Sequence, residues 1–127
     1  MKQLDKKKIN SFAKKWRKEF LDDSYDFYNV FDNIAFSDEC FDIGFVMDCG
    51  ESFSKKYPNS NAFDSYQSLQ KILESENDLK VLGSALFSKW RYYNHWSYDH
   101  PDENEIKWFI VLLDRLYDLT NDSNENN

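Results

Sequence analysis

The chain has 127 residues, 41% of them hydrophobic and 18% aromatic, with a net charge of −7 split as +7 over residues 1–18 and −14 over the rest. A chain of this length makes one domain that buries about two thirds of its unfolded surface, and twenty-three Phe, Tyr and Trp residues supply core area that modest aliphatic content does not. The acid excess argues against a main body that binds nucleic acid. The two cysteines argue against a disulfide framework, and the absence of a long apolar run argues against a membrane span.

Three glycines, two prolines and no sustained polar/apolar alternation predict an all-α bundle of five or six helices over residues 1–120. The first helix, 5–22, is basic and amphipathic: Ile9, Phe12, Ala13, Trp16 and Phe20 form one apolar stripe, and Lys7, Lys8, Lys14, Lys15 and Lys18 the polar face. Residues 24–56 form the acidic, aromatic region. Ser24 caps a short helix over 25–35 that buries Phe27, Phe31 and Ile34, and Ser37 or Asp38 caps a longer one over 39–56 running through Phe41, Phe45, Cys49 and Phe53. In one helix Cys40 and Cys49 stand roughly 13 Å apart, too far for a disulfide, and free thiols suit a reducing compartment.

Residues 62–120 hold the core helices. Tyr57-Pro58-Asn59-Ser60-Asn61 is a loop, followed by a helix over 62–75 through Phe63, Tyr66, Leu69 and Leu73. Asn77 or Asp78 opens the next, over 78–96, with Gly83 allowing a neighbour to approach closely. After a loop at 97–102, Asp102 caps the last helix, 103–120, with an acidic first turn. The helices over 78–96 and 103–119 are apolar on more than one face and are expected at the centre. Residues 121–127 hold no apolar side chain and are expected to be a disordered tail. With no signal peptide pattern at the N-terminus, a cytoplasmic protein is expected.

Enzyme signatures are missing from the motifs. There is no phosphate loop, no nucleophile elbow and no helical metal pair, since His95 and His100 are five apart across an expected helix end. No catalytic residue, metal or cofactor is expected. Lys89, Trp90, Tyr92, His95 and Trp96 resemble a base-stacking platform, but an aromatic layer at a helix end is usually core. Arg91 falls on the least apolar face of a central helix and Asp48 on the Phe41–Phe45 face of another. An internal Asp48–Arg91 ion pair would satisfy both.

Three stretches, Gly44–Phe53, Leu82–Trp96 and Lys107–Leu116, resemble an uncharacterised family of small helical proteins from low-GC Gram-positive bacteria and their mobile elements. The resemblance implies a small helical protein of that provenance and brings no activity with it. The charge pattern carries the functional expectation. Ten carboxylates and no lysine or arginine lie between Glu19 and Ser54. Asp22, Asp23, Asp26, Asp32, Asp38 and Asp42 then make a face for a basic groove on a protein partner, as an inhibitor, anti-defence or immunity-type protein would, with mimicry of nucleic acid. The competing expectation is a small nucleic-acid-associated regulator that uses the lysine face of the first helix and the Trp90–Trp96 segment. The blander alternative for the acidic run is a solvated face.

Overall fold

Asp5 starts the first helix. Its carboxylate accepts the backbone N–H groups of Lys7 (2.9 Å) and Lys8 (3.3 Å), and its carbonyl accepts that of Ile9, the geometry of an N-cap. The computed structural model describes residues 5–21, 35–45, 51–57, 65–91 and 103–121. Among them are six helices and no strand: α1 Lys6–Leu21, α2 Ala35–Asp42, α3 Glu51–Lys56, α4 Tyr66–Leu73, α5 Leu79–Arg91 and α6 Glu103–Thr120. The all-α architecture agrees with the sequence pattern. Residues 25–34 of the helix expected over 25–35, residues 58–61 of the loop expected from Tyr57 to Asn61, the 97–102 loop and residues 122–127 of the tail expected over 121–127 lie outside the described residues, whereas Asn121 is described and partly buried.

The α5 helix is the central element. Every residue from Val81 to Phe87 is buried, as is Trp90, so no face of its middle turns meets water. It packs against α2, α3 and α6, while α6 also packs against α4 and, most extensively, α1. The last helix seals Phe109, Leu112, Leu113 and Leu116 and leaves Ile106, Trp108, Ile110 and Val111 partly covered. Phe20 of α1 stacks on Phe109 at 4.8 Å. Phe36 joins three helices: its ring meets Phe12 (5.4 Å) and Trp16 (5.1 Å) of α1 and stacks on Trp90 of α5 (5.7 Å).

The single helix expected over 39–56 is broken. Its first part begins earlier, at Ala35, so Ser37 and Asp38 lie within its first turn instead of capping it, and it ends at Asp42. The stop is built by Gly44, whose φ of 87° is open to glycine at little cost. The Phe45 N–H bonds to the Cys40 carbonyl (3.1 Å) and the Gly44 N–H to that of Phe41 (3.2 Å), the paired bonds of a Schellman ending. Buried Phe45 and Cys40 fit the apolar contact that accompanies this motif. Breaking the helix changes its phase. Phe36, Cys40 and Ile43 face inward, and Phe41, expected in the core, is 62% exposed. The expected Cys40–Cys49 separation assumed one unbroken helix; Cys40 is buried, and Cys49 lies outside the described residues.

The helix expected over 62–75 starts at Tyr66, where Ser65 accepts the Ser68 N–H at 3.1 Å. Asp78 opens α5, accepting the Lys80 N–H at 2.9 Å. Gly83 does permit a close approach, but to a side chain: a Cβ there would stand 2.5 Å from the Phe45 ring.

Candidate protein-interaction face

The surface of α2 follows from that phase. With Phe36 and Cys40 turned inward, Asp38, Phe41 and Asp42 are left exposed. Its flank against α1 carries two cross-helix ion pairs, Lys15–Glu39 at 2.7 Å and Lys8–Asp42 at 3.7 Å. Both are substantially open to water, a setting in which such a pair contributes at most about 1 kcal/mol. They align α1 and α2 without holding them. Lys7, Lys8, Ser11, Phe12, Glu39, Asp42 and Ile43 line a groove of about 310 Å³ between the two helices. Among the described residues, Asp38 has no hydrogen-bond or ion-pair partner. The result is an open carboxylate beside a large exposed ring.

Of the six carboxylates expected on the acidic face, Asp38 and Asp42 are described and exposed, whereas Asp22, Asp23, Asp26 and Asp32 lie outside the described residues. The basic helix has its expected form. Lys7, Lys8, Lys14, Lys15 and Lys18 are exposed, and Ile9, Phe12, Ala13, Trp16 and Phe20 are buried against the chain's own core. Part of the lysine charge is thereby neutralised within the molecule by α2.

Trp90 leaves the proposed stacking platform. It is 4% exposed and stacked on Phe36, so its face is not available to a base. Lys89 is half-buried with its ammonium 5.0 Å from the Trp108 ring. Burial lowers its pKa, partly opposed by the nearby Glu105 charge. Tyr92, His95 and Trp96 lie outside the described residues. So does Asp48, and with it the proposed pair with Arg91. The burial expected for Arg91 does not occur: it is exposed in the last turn of α5, where a cation complements the helix dipole.

A polar centre not anticipated from sequence sits at Glu76, whose side chain is fully buried. The Tyr57 hydroxyl donates to it at 2.5 Å, Lys56 Nζ approaches at 2.9 Å, and the Asp78 N–H donates at 2.8 Å. Arg115 completes the knot from α6. Its Nε donates to the Glu76 carbonyl (2.9 Å) and its Nη2 to the Asn77 side chain (2.6 Å). Burial alone would raise the Glu76 pKa. The hydrogen bonds from Tyr57, Lys56 and Asp78, with the Lys56 charge, outweigh it and hold the carboxyl below its usual value. Burial and then Glu76 push the Tyr57 hydroxyl up to about 12. With its oxygens engaged and no water contact, Glu76 is placed to join α3, α5 and α6, not to exchange protons with a substrate. Cys40 is likewise unsuited to attack, because burial and then the Glu39 charge push its thiol far above the ordinary range and away from the reactive thiolate.

Among the described residues, no group of three or more His, Cys, Asp or Glu side chains is placed to hold a metal ion, and no helix is long and apolar enough to cross a membrane. No protein-family model, curated protein or solved structure matches the chain.

Proposed function

We propose that the protein is a non-catalytic interaction protein whose acidic α2 edge occupies a basic groove on a protein partner, in the manner of an inhibitor, anti-defence or immunity-type protein. The observation that carries this reading is the exposure of Phe41 between Asp38 and Asp42 on one short helix. An aromatic ring supplies buried contact area at low entropic cost. Flanking carboxylates steer a cationic partner and accept bidentate hydrogen bonds from arginine. Presented along a helix, such carboxylates stand in for phosphates, which would make the chain a competitor for a nucleic-acid-binding site.

The test compares capture by wild-type chain with capture by Asp38→Asn, Phe41→Ala and Asp42→Asn variants at low and high salt. A basic protein held by the wild type, weakened by each substitution and released as salt rises is the expected outcome. Salt-sensitive binding of the purified chain to DNA or RNA, abolished by neutralising Lys7, Lys14 and Lys18, would replace this reading with that of a nucleic-acid-associated regulator.

A further inference from the structure

The carboxylates of α2 are not equally open to a partner. Asp38 is exposed and, among the described residues, has no hydrogen-bond or ion-pair partner. Asp42 lies four positions on, on the same face of the helix, and is met by Lys8 of α1. The two contacts from α1 to α2 differ in kind. Lys15 Nζ donates a hydrogen bond of 2.7 Å to Glu39 and stands 4.9 Å from the centre of the Trp16 ring, so carboxylate and ring both fix it. Lys8 Nζ stands 3.7 Å from Asp42, beyond hydrogen-bond length. The side chains of Lys8 and Asp42 are 51% and 63% exposed. Theirs is a charge contact alone, and a cation arriving from outside can reach the same carboxylate.

We propose that Lys8 is an internal competitor for the cation of a basic partner: it covers Asp42 in the free chain and is displaced when the α2 edge docks. The proposal rests on the reading of α2 as the partner-facing edge and adds the regulation of that edge. Asp38 is open to the first contact. Asp42 is engaged only as the Lys8 ammonium moves off into water. A guanidinium donates two parallel hydrogen bonds to a carboxylate, and so replaces a single ammonium that makes no hydrogen bond to it. Glu39 keeps its bond to Lys15, so α1 and α2 stay aligned during the exchange. The consequence is a reversal of the usual sign. Removing a charged side chain beside the interface strengthens the complex.

Calorimetric titration of the purified full-length chain with a hepta-arginine peptide at low ionic strength tests this. Lys8→Ala is expected to tighten binding about two- to fivefold, the range set by an exposed ion pair. Lys14→Ala is the charge-matched control. Lys14 lines the α1/α6 groove and, among the described residues, has no ion-pair partner, so its removal should gain less. In an Asp42→Asn background the advantage of Lys8→Ala over Lys14→Ala should vanish, because the carboxylate for which Lys8 competes is gone. Lys8, Lys14 and Asp42 are all exposed, so circular dichroism should show unchanged helix content in every variant. Equal gains from the two lysine variants, or an advantage that persists without the Asp42 carboxylate, would overturn the proposal. If Asp38→Asn still weakens the peptide in that case, the reading of α2 as partner-facing stands. Binding that neither Asp38→Asn nor Asp42→Asn weakens, or no binding at all, would remove the acidic-edge reading and this proposal with it.

Discussion

Glu76 shows how a buried charge becomes tolerable when every acceptor position is used. Removing its charge should be costly, since hydrogen bonds to a buried ion are worth about 1.5–3 kcal/mol each and orphaned donors add to the loss. Glu76→Gln is expected to lower unfolding free energy by about 2 kcal/mol, and Tyr57→Phe by somewhat less, both read by urea denaturation. The pH dependence has two arms. Because the native Glu76 pKa is depressed, its stabilisation is present above the ordinary carboxyl value and is lost as pH falls from there through the lower native one. Because the Tyr57 pKa is raised from 10.0 to about 12, its contribution is present below pH 10 and disappears as pH climbs through about 12. The stability difference between wild type and Glu76→Gln should therefore shrink at both extremes. A difference constant across pH would show that the carboxylate is not what the variant removes.

The two glycines that shape the helices do so for different reasons, and substitution separates them. At Gly44 the positive φ is the constraint, and Gly44→Ala should cost roughly 1–2 kcal/mol with little change in neighbouring packing. At Gly83 two effects oppose. Alanine improves helix propensity by about 1 kcal/mol, but its methyl would stand 2.5 Å from the ring of Phe45, itself only 4% exposed. Overpacking of this kind costs about 1–3 kcal/mol, so Gly83→Ala should be net destabilising. In a Phe45→Leu background the penalty should shrink, because the clashing ring is gone. Such non-additivity is expected of residues in contact; equal penalties in both backgrounds would place the strain elsewhere.

Cohesion of the bundle rests on apolar burial more than on the charge contrast that dominates the sequence. Five α1 side chains, Ile9, Phe12, Ala13, Trp16 and Phe20, are at most 4% exposed, and each large one contributes about 1.5–3 kcal/mol. Against a net stability of about 5–15 kcal/mol typical of a domain, loss of that stripe is decisive. A chain lacking residues 1–21 should lose its cooperative thermal transition. Lys8→Ala and Lys15→Ala, which remove the solvent-exposed pairs to α2, should each change stability by about 1 kcal/mol or less. Were the double lysine variant to unfold, charge neutralisation would be the stronger tie.

Helix class, the α1 stripe, the Asp78 cap and the burial of α5 were legible from residue spacing and capping chemistry alone, because these depend on neighbours within a few positions. The exposure of Phe41 was not, although its cause lies close by. Gly44 reads equally well as a helix residue that permits close packing or as a left-handed stop, and the choice turns every side chain on α2. By spacing alone Trp90 fits both a stacking surface and the core, and the Phe36 ring stacked on it decides for the core. The Glu76 knot left no trace in sequence, since Lys56, Tyr57 and Arg115 stand 19 to 39 positions away and no local periodicity relates them. Local periodicity and capping sufficed for the helices and most of the core. Long-range packing alone determined which polar groups are sealed inside and which aromatic ring is left facing water, because burial depends on what the rest of the chain brings alongside.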